Sequence, residues 1–228
     1  MIGIAPRRTP TNQLSRGTPW ADLLGSLGVT DRLNLLRDAG YGFHVSVGAV
    51  TTPIVGGGNG TVLDPEQAEY AMNVPTGTAI YLARAAVEVQ TPLLATDADE
   101  CEILLAADVS GTLATITAST GTVETVFGMR TDKPVSSNCT VVSANTSDHN
   151  PPTLGMEIDR AQATGDMNGT PANALWGILK LLYEPRIPIC FVGPCSVFIY
   201  WGGTVATPGF AQVEWIELQG DAYTAILG

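Results

Sequence analysis

The sequence predicts an all-β fold, an antiparallel β-sandwich. Three observations carry that reading. From Gly40 onward, apolar residues recur at every second position in short runs, the period of a half-buried strand. Turn signals built from Gly, Pro, Asn and Ser separate those runs at short spacing. Strands and helices do not alternate regularly, which argues against a parallel α/β sheet. The count is about eight to ten strands, a number that suits an eight-stranded jelly roll.

Residues 1–40 read as an extended arm with one or two short helices, and residues 41–228 as the sandwich. Pro6, Pro10 and Pro19 break up the arm. Thr18-Pro19-Trp20 then resembles a helix start, with Thr18 as N-cap and proline at the first helical position. Trp20, Leu23, Leu24 and Leu27 follow at helical spacing until Gly28. A second short helix is expected from Thr30 to Arg37, ended by Gly40.

The period then changes to two. Phe43, Val45 and Val47 alternate with His44 and Ser46, and His44 falls on the solvated side. A strand is expected over Glu69–Val74, followed by the turn Pro75-Thr76-Gly77. The longest strand is expected over Thr78–Gln90, with Tyr81, Ala83, Ala85, Val87 and Val89 on one face. Ile80, Leu82, Arg84, Ala86 and Glu88 make the other. Cys101–Ala107 is a strand with Cys101, Ile103 and Leu105 on its apolar face. Two short strands fall within Val109–Met129. Residues 131–174 are the least regular part, with one short strand at Cys139–Ala144.

The ending is the most strand-like part. Three runs, Ile187–Val192, Cys195–Trp201 and Phe210–Leu218, are rich in the residues that fit a pleated surface. Buried strands of that length need partners from earlier in the chain. Ala174–Tyr183 fits a strand or a short helix, and Gly177 tips the expectation towards a strand. Gly193-Pro194 marks a hairpin or kink, and a hairpin would set Cys190 facing Cys195. A disulfide could then join them, but two buried free thiols are the expectation for this pair without a secretory signal. The tail after Leu218 carries no clear pattern.

Composition narrows the function. Hydrophobic residues make up 45% of the 228-residue chain and charged ones 14%, against about 25% in ordinary soluble domains. A surface so poor in charge is usually hidden against other subunits or a membrane. No apolar run approaches the ~20 residues of a spanning helix, so no transmembrane segment is expected. The start, MIGIAPRRTPTNQ, has no apolar stretch behind its arginines, so no secretory signal is expected. The net charge of −11 divides into +2 over residues 1–40 and −13 over the rest. An acidic body does not grip phosphates, so nucleic-acid contact is confined to the arm, through Arg7, Arg8 and Arg16. Trp20 completes the candidate contact residues of the arm.

Chemistry is sparse. Nucleophile elbows and zinc-protease motifs are absent. A triad would have to use His44 or His149, and His149 sits in the loop Ser147-Asp148-His149. Glu214 and Glu217 are three apart on a strand and point to opposite sides, which is wrong for a glycosidase pair. Asp97, Asp99 and Glu100 are the densest oxygen cluster offered to a cation such as Ca²⁺. The twelve-residue loop pattern is missing, and a solvated loop is expected there. Trp201, Trp215, Tyr200 and Tyr183 are candidates for a sugar-stacking platform or for the core, and the sandwich reading favours the core. Neither an enzyme nor a cofactor is expected.

The ending Val192-Gly193-Pro194-Cys195-Ser196-Val197-Phe198-Ile199-Tyr200, with Pro208-Gly209-Phe210-Ala211-Gln212-Val213-Glu214-Trp215-Ile216-Glu217-Leu218, is similar to the endings of virion-type proteins. Together with the arginine-bearing arm, the helical clip and the poorly charged body, it resembles a single jelly-roll capsid protein of a small icosahedral virus or phage. The resemblance implies a virion shell subunit whose partners are copies of itself and other virion proteins. The arm departs from the long, strongly basic arms of RNA-packaging relatives, because it has three arginines and no lysine up to Gly17. Lining a membrane or clamping a neighbouring subunit asks less of such an arm than binding a genome does. The alternative function is a virion appendage or a lectin-like carbohydrate- or receptor-binding sandwich.

Overall fold

The computed structural model describes residues 32–56, 63–64, 67–92, 100–117, 121–132, 135–144, 156–164, 176–203 and 207–227. The first expected helix, with Trp20, lies outside them. The second is present as α1 (Arg32–Leu36), followed by a wide turn over Arg37–Tyr41. Gly40 takes φ 101° in that turn, a conformation L-residues avoid, and the chain leaves extended.

Thirteen strands follow among the described residues: β1 (Gly42–Val47), β2 (Ile54–Val55), β3 (Tyr70–Val74), β4 (Thr78–Pro92), β5 (Glu100–Asp108), β6 (Thr122–Val123), β7 (Phe127–Gly128), β8 (Thr140–Ser143), β9 (Met156–Thr164), β10 (Trp176–Tyr183), β11 (Cys190–Val192), β12 (Cys195–Gly203) and β13 (Pro208–Gln219). A helix, α2 (Gly220–Leu227), ends the described chain where the sequence showed no clear pattern. All pairings are antiparallel. One sheet has the order β10-β4-β13-β1-β7, with β11 also on β4 and β2 on β13. The other has the order β6-β8-β3-β12-β5-β9. The protein is a two-sheet β-sandwich, as the alternation predicted.

The core lies between the sheets. Phe43, Val45 and Val47 face it from β1, and Val213 and Trp215 from β13. Phe43 and Trp215 stack with ring centroids 6.1 Å apart. From the second sheet come Tyr70, Met72, Ile103, Leu105, Val197, Ile199 and Trp201. Truncating a buried tryptophan such as Trp201 or Trp215 to alanine costs about 3–5 kcal/mol.

The long strand β4 differs from its expected faces. Ile80 and Leu82 are buried, and so are Ala85, Val87 and Val89, while Tyr81 and Ala83 are only half-buried. Parity switches because the β13 register jumps from Glu214↔Arg84 to Trp215↔Leu82, leaving Ala83 unpaired in a bulge. The neighbouring edge breaks at the same place. β10 pairs with Ala85–Pro92 and β11 with Ala79–Tyr81, and between them Leu82 N donates to the Ile189 carbonyl (3.1 Å).

The Gly193-Pro194 break is not a hairpin. Its bond is cis, and it carries the chain from β11 in the first sheet to β12 in the second. Gly193 sits so close to the Val74–Pro75 backbone that a Cβ there would lie 2.2 Å from the Pro75 carbonyl oxygen. Phe191 and Cys195 point into the core, while Cys190 and Val192 are exposed on the other side of β11. Cys190 therefore does not face Cys195, and all four cysteines are free.

β9 was missed in the sequence. It has a bulge at Ile158, where the β5 register jumps from Leu105↔Asp159 to Ala106↔Glu157. Met156 and Ile158 thus fall out of step with Ala161, and no single period of two runs through the strand.

The segment between β5 and β9 builds a third layer. Ala114 and Ile116 cover Ala71, Leu104, Ala106, Phe198 and Tyr200 on the outer face of the second sheet. β12 is consequently buried at all nine positions. The same segment then supplies β6 and β8 to one sheet and β7 to the other.

Candidate functional site

Two exposed regions stand out: the outer face of the first sheet, and the flank where β10 of that sheet packs beside β9 of the second. The outer face is a cross-strand ladder. Arg84 on β4 donates to Gln212 (3.2 Å) and Glu214 (3.0 Å) on β13. Lys180 on β10 donates to Glu88 on β4 at 2.7 Å. His44 stacks on Phe127 of β7, with centroids 5.6 Å apart. That corrects the solvated histidine of the sequence reading: the ring is half-buried, and its Nδ1 has no hydrogen-bond partner among the described residues. Opposite-charge pairs of this exposure contribute at most about 1 kcal/mol each and mainly hold the face in register.

The flank combines charge and apolar surface. On β9, Arg160 bridges Glu157 (2.9 Å) and Glu102 (3.2 Å). On β10, Ile178 and Leu182 are 60% and 58% exposed on either side of Lys180. Beyond β10, Ile187 is 82% exposed and Val192 47%. Among the described residues, no strand pairs with the outer edge of β9 or β10.

Most residues singled out in the sequence fall elsewhere. Arg7, Arg8, Arg16, Trp20, Asp97, Asp99 and His149 lie outside the described residues. Glu100 opens β5, paired with Thr164 of β9. Among the described residues, no group of three or more His, Cys, Asp or Glu is placed to hold a metal. Trp201, Trp215 and Tyr200 are at most 1% exposed, so they are core and not a platform for a sugar. Glu214 and Glu217 do point to opposite sides. Glu214 faces out to Arg84, and Glu217 is fully buried.

Glu217 is the polar residue whose role sequence reasoning missed. Its carboxylate accepts from Ser137 Oγ (2.5 Å), the Asn138 backbone N–H (2.7 Å) and Trp215 Nε1 (3.2 Å). A buried carboxylate is tolerated when donors replace its water in this way. The bonds fasten the β5–β9 segment to the end of β13, and Asn138 Nδ2 to Thr78 Oγ1 (3.2 Å) and Gln219 Nε2 to Ser136 O (3.1 Å) reinforce them. A second clasp holds the start of the segment. Ser196 Oγ donates to Asn73 Oδ1 (2.6 Å) and accepts from Ala114 N (3.0 Å), while Asn73 Nδ2 donates to Ala114 O (2.9 Å). A single strand-parity signal was available: Glu217 shares the inward side of β13 with Val213 and Trp215.

The thiols are poor nucleophiles. Burial raises Cys195 to about 11, with Asp108 adding to the shift. Burial also pushes Cys139 well up, assisted by the Glu217 charge, and raises Cys101 and Cys190. Thiols so shifted stay protonated near neutral pH. An open cavity of about 310 Å³ near α1 is lined by Arg37, Asp38, Met129 and Arg130. Both guanidiniums are already engaged, Arg37 by Asp38 and Arg130 by Asp132 and the Asp38 carbonyl. No helix among the described residues is long and apolar enough to cross a membrane. No protein-family model matches the chain, and no curated protein is significantly similar to it.

Proposed function

We propose that this chain is a virion shell subunit that assembles with copies of itself, built on a jelly roll. The observation that carries the reading is the nesting of the eight longer strands among the described residues, each of five residues or more. In chain order these are β1, β3, β4, β5, β9, β10, β12 and β13. The first pairs with the eighth (β1–β13), the second with the seventh (β3–β12), the third with the sixth (β4–β10) and the fourth with the fifth (β5–β9). Such nesting is what results when one long antiparallel ribbon is wound over itself into two sheets, the jelly-roll architecture used by many capsid proteins. Fold alone does not assign a function. The surface supplies the second support: a chain only 14% charged, with apolar side chains exposed along one flank. Subunits that live in large permanent interfaces have such surfaces. The arm, the ladder face and the β9–β10 flank are the contact regions in this reading.

The test is the assembly state of purified full-length chain, by sedimentation velocity and negative-stain electron microscopy over a range of salt and concentration. Shells, capsomer-like rings or sheets are the expected result. A monomer that persists at high concentration under every condition would overturn it.

A further inference from the structure

We propose that the outer edge of β10 pairs, antiparallel, with β10 of a second copy about a two-fold axis at Leu181. This names one contact of the shell-subunit reading and rests on that reading for its partner.

The edge strands of the open flank differ in kind. β9 carries Glu157, Asp159 and Arg160, charges that natural edges use to repel an added strand. β10 presents Ile178 and Leu182, both more than half exposed, and eight residues of strand. Its inward side chains are unfinished core: Leu181 is buried, while Leu179 and Tyr183 are partly buried against the core. A strand added beside β10 would complete their burial and continue the sheet, and strand addition at an exposed edge is a recurring mode of recognition.

The residue pattern selects both the partner and the register. In antiparallel pairing, directly opposed residues share a face. With the axis at Leu181, Leu181 meets its own copy, and Leu179 meets Tyr183 in both directions. On the outer face Lys180 meets Leu182, and Glu184 of the other copy lies diagonally within reach of long side chains. Lys180 has three N–H donors, so it can hold Glu88 of its own chain and still reach that Glu184. Ile178 meets the stem of Glu184, the weakest pair of the set. With the axis moved to Lys180, that lysine would oppose its own copy directly, and Tyr183 would oppose Gly177, which has no side chain to pack. The Leu181 axis therefore satisfies both faces better.

Disulfide trapping reads the register. In a Cys190→Ser background, Lys180→Cys and Leu182→Cys chains are made separately and oxidised alone and mixed. Only directly opposed pairs come within disulfide reach. A covalent dimer from the mixture and from neither protein alone is the expected result. A dimer from Lys180→Cys alone places the axis at Lys180 and overturns the register. No covalent dimer in any combination, while sedimentation still shows assembly, puts the contact elsewhere and leaves the shell reading standing. A chain that sediments only as a monomer overturns both. Both positions are exposed, so folding is checked by an unchanged circular dichroism spectrum. The independent variant Leu182→Lys is expected to weaken association of the otherwise wild-type chain at least about tenfold, since it sets a second ammonium directly opposite Lys180 of the other copy.

Discussion

The two flanks of the sandwich are finished in opposite ways. On the β1–β3 flank, the β5–β9 segment supplies β7, β8 and β6, and the outermost strands are only two residues long. Two polar clasps, around Glu217 and around Ser196, hold that segment down. On the β9–β10 flank the edges run nine and eight residues, and no described strand covers them. Short edges give another chain little to pair with, whereas long ones are templates. Among the described residues, one side is closed by the protein's own chain and the other is left unpaired. An insertion that only decorated the surface would have no reason to reach the edges of both sheets.

The comparison is broken most severely by removing the main clasp. Glu217→Leu is expected to destabilise the fold by about 3 kcal/mol, because the buried Trp215 N–H and two part-buried donors, Ser137 Oγ and Asn138 N, lose their acceptor. Glu217→Gln, which keeps one carbonyl oxygen, should cost clearly less. Chemical denaturation monitored by tryptophan fluorescence reads both. If Glu217→Leu were neutral, the segment would not be fastened there. A smaller effect is expected from Ile116→Ala, which opens the outer layer over Phe198. Its cost should be about 2 kcal/mol, at the low end for an isoleucine because the layer is thin. A neutral result would mean that the third layer does not pack. The smallest effect belongs to the open flank. Ile178→Ser should change monomer stability by less than about 0.5 kcal/mol, since the side chain is mostly in water. A large loss would show that this edge is already part of the closed core.

Several elements could be read locally. The inward set Phe43, Val45 and Val47 and the apolar face of Cys101, Ile103 and Leu105 emerged with the right faces, and the Cys195–Trp201 run emerged as a strand. They lie in strands or stretches without a bulge, where a period of two is preserved. The expectation failed where pairing altered the count. In β4 the unpaired Ala83 moved the buried positions from one parity to the other. In β9 the bulge at Ile158 hid a nine-residue strand among charges. The Gly193-Pro194 break, which locally fits a hairpin or a kink, is a crossing between sheets, because Cys190–Val192 takes its partner from β4 and Cys195–Gly203 from β3 and β5. The candidate flank was half visible. Ala174–Tyr183 was expected to be a strand, but nothing local says that it ends a sheet.

By itself the sequence determined that the chain is β-rich, where most of its strands lie and that its surface is poor in charge. Those properties follow from the alternation, turn residues and composition of neighbouring positions. Only the tertiary structure decided which strands are central and which are edges, that β12 is buried on both faces, and that Glu217 is a buried clasp. Each of these depends on a partner far away in the chain, and a strand's local pattern is the same whether that partner is present or absent.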